Sequence, residues 1–563
     1  MYMRKIWNIR SADSALCKQL ADDLSISPAL AQVLVNRGIT TPEQADTYLN
    51  AGLESCHDPR LLKGMDRAID RIRRAIAIGE RIVVYGDYDV DGLTSTALLH
   101  YVLSELGAVV QCYIPHRVDE GYGLNLSACQ TLRKSHARLV ITVDCGISSF
   151  AEVEALRGFG IDTVVTDHHQ PVKGKIPPAF AVINPYQPGC SYPYKSLAGV
   201  GLAYKLAVAL TEDEARVRKH LDLVALGTVS DVAPLSGENR ILVKYGLQTL
   251  SRAEKPGLKA LIDVAGIRTD RLTAEHVGFI LGPRINATGR MGSAEQALQL
   301  LLSVDYAAAL PLAQALDSEN RERQKVESKT LREAMAIIDR EINFKEHRAL
   351  VLHHDTWHPG VIGIVASRLA ERYYRPTVLI STAEEVAKGS CRSIRNFHIF
   401  NALSQCSHLL EDFGGHEKAA GLSIRRDNLA GFKELFNSMA VETLSPDDLV
   451  PVIDIDKELS FSLLTEELLN DIERCAPFGM ANPRPVFVSH AVSRKGPVRP
   501  MRGNGNAFWV SDGTVTCEAL VNNRGEELDL SGLTGNFSLV YAPSLRERHG
   551  INSIQLKVKD IQF

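Results

Sequence analysis

The 563-residue sequence contains no apolar run of about 18 residues or more, which excludes a membrane-spanning helix. Its ten cysteines, at 17, 56, 112, 129, 145, 190, 391, 406, 475 and 517, stand singly and form no CxxC pair. Neither a zinc ribbon nor a disulfide scaffold is specified, and free thiols in a reducing compartment are expected. MYMRKIWNIRSADS, at the start, carries basic residues without a following apolar stretch, so the protein reads as soluble and cytoplasmic, with no membrane partner. An excess of positive charge is also missing: 63 Lys and Arg face 67 Asp and Glu, for a net charge of −4. Any nucleic acid must therefore be held by local basic grooves rather than by a general positive potential. Internal repeats and low-complexity segments are absent.

The length implies about three or four domains. Residues 1–60 read as a small helical lead-in. Short β-branched runs then alternate with helical stretches: RIVVYGD, AVVQCYIPHR, RLVITVDCG, IDTVVTDHH and AFAVINP. That alternation predicts an α/β, mostly parallel, doubly wound sheet over 61–300. The charged segment DSENRERQKVESKTLREAMAIIDREI reads as one long exposed helix within a connector at 301–345. Apolar runs return in RALVLHHD and RPTVLIST, giving a second, smaller α/β domain at 346–449. Beyond 450, short strands and turns predict an all-β module to 563, most economically an OB-like barrel.

Chemistry concentrates where these runs end. VVYGDYDVDGLTS places Asp87, Asp89 and Asp91 on alternate positions, so like charges crowd unless a cation or water relieves them. Asp144 ends ITVDCG, Asp167, His168 and His169 end VVTDHH, and Asp231 ends LGTVSD. In a doubly wound sheet ligands bind at the carboxyl ends of the strands, and all four runs are expected to be strands meeting there. Carboxylates with one or two imidazoles select Mn2+ or Mg2+ over structural zinc, and so many acids suggest two ions, as in phosphoester hydrolysis.

The TDHH run, preceded by DYDVDG and VDCG and followed by SDVAPL, resembles the DHH phosphoesterase superfamily. Within it the likeness is to the RecJ family of single-strand-specific 5′ to 3′ DNA exonucleases, through IPHRVDEGYGLN, PRINATGRMG, HPGVIGIVASR, GSCRSI and GGHEKAAG. The resemblance implies metal ligands at Asp89, Asp91, Asp144, His168 and Asp231, with Asp144 bridging. His169 would stand near the scissile phosphate, to stabilise or protonate the leaving oxygen. Tyr85 stands where some members carry a histidine ligand, which leaves Asp87 to fill that place. Further phosphate contacts are implied for Arg117, Arg284 and Arg290.

In the second lobe His358 opens a helix whose free amides attract phosphate. Ser390 and Arg392 of GSCRSI, with Gly414, Gly415 and His416 of FGGHEKAAG, belong by resemblance to the DHH-associated domain that closes over substrate. In the last module Arg494, Lys495, Arg499 and Arg502 lie near Phe508 and Trp509. A basic groove with a stacking platform suits a single strand, although Trp509 inside the barrel is an equal reading of that residue alone. The expected protein is a monomeric 5′ to 3′ exonuclease on single-stranded DNA, releasing 5′-mononucleotides in repair and recombination. Single-strand-binding protein and a helicase are partners by family implication. The rivals are a phosphodiesterase for short oligonucleotides or cyclic dinucleotides, which needs no third module, and an inactive scaffold, which needs no full ligand set.

Overall fold

The computed structural model describes residues 5–563 apart from 117–119, 122, 173–174, 502–504, 523–529, 531–532, 534 and 549–550. Arg117 and Arg502 therefore lie outside the described residues. The chain divides into two compact units, 50–322 with 476–483, and 1–49 with 323–475 and 484–563. No helix among the described residues is long and apolar enough to cross a membrane.

The first unit is built on five parallel strands, in the sheet order Val109–Tyr113, Arg81–Gly86, Leu139–Val143, Asp162–Thr166 and Ala181–Ile183. These are the runs the alternation marks as strands; apart from the partly exposed edge strand Val109–Tyr113 they are buried on both faces, as crossover connections require. Ile82, Val84 and Ile141 face the helices Met65–Ala77, Val90–Glu105 and Gly199–Thr211. Val83, Tyr85 and Val140 face the helices Leu126–Lys134 and Phe150–Gly158. The chain begins in the second strand of the sheet, moves outward, then returns across it. Strand order thus reverses between Arg81–Gly86 and Leu139–Val143, where an open α/β sheet forms its crevice.

LGTVSD departs from expectation. Residues Leu221–Ser230 are a helix, and Asp231 sits at its C-cap. Leu221–Thr228 are buried all round, and a short apolar run of that kind has no period to separate helix from strand.

His220, which opens this helix, is 2% exposed, and its ring stacks on Tyr101 at 5.3 Å near the far end of helix Val90–Glu105. Among the described residues neither of its ring nitrogens finds a hydrogen-bond partner, and the Glu105 carboxylate lies 3.8 Å away. Burial, with the charges of Lys255 and Lys219, pushes its pKa down to about 3 from 6.5. The unfolded chain therefore takes up a proton that the folded one refuses, and stability should fall as pH drops from about 6.5 towards 3, by at most about 1.4 kcal/mol per pH unit. His220→Phe keeps a ring on Tyr101 and should flatten that dependence, as read from urea midpoints at pH 7 and 5. An unchanged slope would assign the acid sensitivity elsewhere.

In the second unit, five strands run in the order Asp412–Gly415, Ala419–Arg425, Val386–Arg392, Thr377–Ser381 and Leu350–His354. Only the last two pair in parallel. The helix Tyr306–Glu341 spans 36 residues. It is not exposed throughout: Asn320, Arg323, Glu327, Thr330, Ala334 and Ile338 are buried at helical spacing. Charge count hides such a stripe because four of these six members are polar.

The C-terminal module is a barrel of the strands Phe487–Met501, Gly505–Ser511, Thr516–Asn522, Ile551–Gln562 and Asn536–Arg548, closed by pairing of the first with the last. Phe508 is fully buried, whereas Trp509 is 41% exposed, opposite Lys495 and Glu518 in the ladder. Glu518 also pairs with Arg499 at 3.0 Å, which offsets part of the basic cluster. The N-terminal lead-in is no separate piece. Ile6–Ile9 pairs in parallel with Val452–Ile455, Trp7 Nε1 donates to Asp560 at 2.6 Å, and Asn36 donates to the Asp456 carbonyl at 2.9 Å.

Candidate metal centre

Three acids follow the strand Arg81–Gly86. Asp89 is the N-cap of helix Val90–Glu105, and its Oδ1 accepts from the amides of Asp91 at 2.9 Å and Gly92 at 3.1 Å. A cap of this kind satisfies amides that the first turn of a helix leaves unpaired. Asp91 is fully buried and accepts from Gly199 N at 2.7 Å and Val200 N at 2.8 Å, the first amides of helix Gly199–Thr211. This support is absent from the sequence reading, and the small-residue run LAGVG is the signal that could have found it. A Cβ on Gly199 would come within 2.8 Å of the Asp144 Cβ, so the position must stay glycine for both acids to keep their places.

Asp144 follows the strand Leu139–Val143 with φ of 61°, and its amide donates to the Thr166 carbonyl at 3.0 Å. The left-handed turn costs a non-glycine residue free energy, and such strain gathers at functional sites. After the strand Asp162–Thr166 the two histidines separate. His168 Nε2 lies 3.1 Å from Asp144 Oδ1, 3.9 Å from Asp231 Oδ2 and 4.0 Å from Asp91 Oδ2. His169 turns instead to Asp167, whose Oδ1 stands 2.7 Å from its Nδ1 and accepts from its amide at 3.0 Å. The other Asp167 oxygen accepts from Ile147 N at 2.9 Å. Asp167 is thus a positioning residue, which the sequence shows only as the first letter of DHH.

Among the described residues, side-chain ligand atoms fall into three groups, each within 4.8 Å: Asp87, Asp89 and Asp144; Asp91, His168 and Asp231; Asp144, His168 and His169. Asp144 belongs to two of them, and Asp87 stands with the first. Tyr85 is excluded as a ligand, since its buried hydroxyl donates to the Gly123 carbonyl at 2.9 Å.

The electrostatics follow from this crowding. Burial, with Asp89 beside it, pushes Asp91 up to about 7 against the pull of its two amide donors. Burial and neighbouring carboxylates push Asp144 and Asp231 well above the usual range. Burial and the adjacent His169 push His168 down to about 4, so its imidazole is neutral, the form that ligates metal. His169 moves the other way: burial opposes its charge, but Asp167 raises it to about 9. Repelling carboxylates around one neutral imidazole are a hard donor set, and a divalent cation such as Mn2+ or Mg2+ fits it.

Within the PRINATGR segment Arg284 donates Nε to Asp317 at 2.9 Å and Nη1 to the Ile280 carbonyl at 2.7 Å. Asn286 Oδ1 accepts from Val90 N at 3.2 Å, and a Cβ on Gly289 would meet the Tyr88 carbonyl at 2.9 Å. The segment backs the acid-bearing loop with an amide and a close approach. Arg290 is half-buried in the last turn of helix Gly282–Met291.

In the other unit, His358 is the N-cap of helix Pro359–Tyr373, and its Nδ1 accepts from Gly360 N at 3.0 Å. Arg392 donates Nε to Ser367 Oγ at 3.0 Å and Nη1 to Ser390 Oγ at 3.3 Å. Ser390 pairs with Gly421, and Gly421 with Gly414, so the three form one cross-strand row on one face of the sheet. Gly415 lies one residue on, facing the other side, and His416 N donates to the Ala419 carbonyl at 2.8 Å.

Three family models match the chain: the DHH family N-terminal domain over 81–228, the DHHA1 domain over 346–442 and the RecJ OB domain over 455–560. The single-stranded-DNA-specific exonuclease RecJ of Bacillus subtilis is 39% identical over 559 residues, covering 98% of this chain and 70% of the relative. Its Escherichia coli counterpart is 36% identical over 487 residues, 83% of this chain and 84% of the relative. A crystal structure of RecJ in complex with Mn2+ from Thermus thermophilus superposes with a TM-score of 0.84 at 31% identity, covering 99% of this chain and 79% of that one.

Proposed function

The chain belongs to the RecJ family of single-stranded-DNA-specific exonucleases, and from that premise we propose that it hydrolyses single-stranded DNA from the 5′ end, releasing 5′-mononucleotides, with two divalent cations at its carboxylate cluster. The observation that carries the reading is the sharing of Asp144 between two ligand groups at the switch point of a parallel sheet. Asp87 and Asp89 would complete one cation site, and Asp91, His168 and Asp231 the other. Bound there, the cations supply Lewis acidity toward water and neutralise charge on the phosphate.

The chain's own side chains do the rest. His169, oriented by Asp167, would hydrogen-bond the phosphate and give a proton to the departing oxygen. For a 5′-mononucleotide to leave, water's oxygen bonds to phosphorus and the bond from phosphorus to the 3′ oxygen of the terminal nucleotide breaks. That oxygen takes the electron pair and the proton, and the shortened strand keeps a new 5′-phosphate. Ser390, Arg392 and Gly414, with the helix opened by His358, are the proposed seat of a strand phosphate. The barrel, with exposed Trp509 and Lys495, is the proposed guide for the strand beyond it. Ten free cysteines suit a reducing cytoplasm.

The test compares 5′-labelled single strands, the matching blunt duplex and a cyclic dinucleotide, each with Mn2+, Mg2+ or a chelator. Labelled mononucleotide should appear at once from the single strand alone, and only with a cation present. Hydrolysis of the cyclic dinucleotide with inert DNA would replace this reading by the small-substrate one.

A further inference from the structure

We propose that Phe279 is a stacking platform for an unpaired base beside the scissile phosphate, an inference that rests on the single-strand exonuclease reading. Phe279 is 70% exposed, yet Val277 and Leu281 on either side are fully buried. It lies on the turn Val277–Leu281, whose hydrogen bonds follow the wider π-helical pattern. Such turns add a residue to a helix and re-aim its side chains, often at functional sites. The turn is fixed from behind, because Arg284 donates to the Ile280 carbonyl at 2.7 Å while Asp317 holds its Nε at 2.9 Å. Rigidity of this kind is what an aromatic ring needs to bind by its face.

Its place relates it to the metal centre. A Cβ on Gly278 would lie 3.5 Å from Val229 Cγ1, and one on Gly282 would lie 2.4 Å from Ser230 Oγ. The turn therefore lies directly on the last turn of helix Leu221–Ser230, which ends in the ligand Asp231. The next residue, Val232, is 58% exposed with φ of 60°. A β-branched side chain in the left-handed region is strained, and it is held here beside a metal ligand, with its apolar surface open to solvent.

Exposed apolar side chains this near an acidic catalytic cluster suit a flat, neutral surface that arrives with a phosphate, and a nucleobase has that shape. Every base has a π-face, so stacking tolerates any sequence, whereas in a duplex both faces are already covered. Phe279 would thus add discrimination for single strands at the reacting end itself.

The experiment measures kcat/KM with Mn2+ for the full chain, Phe279→Ala and Phe279→Trp. Each acts on a 5′-phosphorylated single strand and on the same strand with abasic residues in its first positions. Loss of one base stack corresponds to about a 5- to 150-fold fall, expected for Phe279→Ala on the base-bearing strand only. Phe279→Trp should restore the rate, and Mn2+ binding should be unchanged in both variants. An equal loss on both strands, or none on either, overturns the inference while leaving the exonuclease reading intact. Wild-type protein inert on the base-bearing strand would sink that reading and this inference together.

Discussion

Asp144→Asn should fold as the wild type does and lose nearly all turnover, by roughly a thousandfold or more, since positioning of the cations supplies much of the barrier reduction and about 1.4 kcal/mol is worth tenfold. Asparagine is the right replacement because Asp144 has φ of 61°. Asn tolerates that region where most residues do not, so a loss of fold cannot be mistaken for a loss of chemistry. Charge then makes a second, opposite prediction. Burial and four neighbouring carboxylates push Asp144 up, so removing its charge relieves repulsion in the cation-free protein. Without added metal the variant should melt no lower than the wild type, and above it if repulsion dominates. With Mn2+ the wild type should gain stability by mass action and the variant much less. Thermal melts with and without Mn2+, alongside initial rates, check both halves. Activity within tenfold of wild type would remove Asp144 from the bridging role.

Much of this centre is legible in the sequence because the relevant signals are local. Short β-branched runs name their own strands, and the acids that follow them are carried to one crevice by sheet topology. What the sequence hides is what depends on distant partners. Asp91 is held by amides of Gly199 and Val200 more than a hundred residues away. The arginines of PRINATGR draw attention by their charge, while Asn286 and Gly289 do the supporting work by shape and a single carbonyl. LGTVSD looks like a strand because a fully buried helix shows no polar face. The pairing of Ile6–Ile9 with Val452–Ile455 joins the lead-in to the segment just before the barrel, and no local pattern announces a partner so far along the chain. A cut at 450 would therefore strip Ile6–Ile9 of its neighbour as well as remove the barrel.

Arg392→Ala should lose most of any preference for 5′-phosphorylated over 5′-hydroxyl strands, while its Mn2+ binding stays unchanged. The geometry of the guanidinium argues for such a seat. Nε is fixed by Ser367 and Nη1 by Ser390, and Nη2 would stand 3.3 Å from a Cβ built on Gly363. The helix Pro359–Tyr373 can approach this closely only because residue 363 carries no side chain. Burial lowers the Arg392 pKa from its ordinary value, yet a guanidinium keeps its charge in proteins, and a buried charge of this kind gains more from a dianionic end than from an internal diester, which offers less charge. Charge-assisted hydrogen bonds are worth about 1.5 to 3 kcal/mol each, so each one lost costs roughly ten- to a hundredfold on the phosphorylated strand. Rates on 5′-hydroxyl strands should change far less. Arg392→Lys separates charge from geometry: it keeps the cation but not the planar fork, and should recover only part of the preference. A preference unchanged in folded Arg392→Ala would move recognition of the end to Arg117, Arg284 or Arg290.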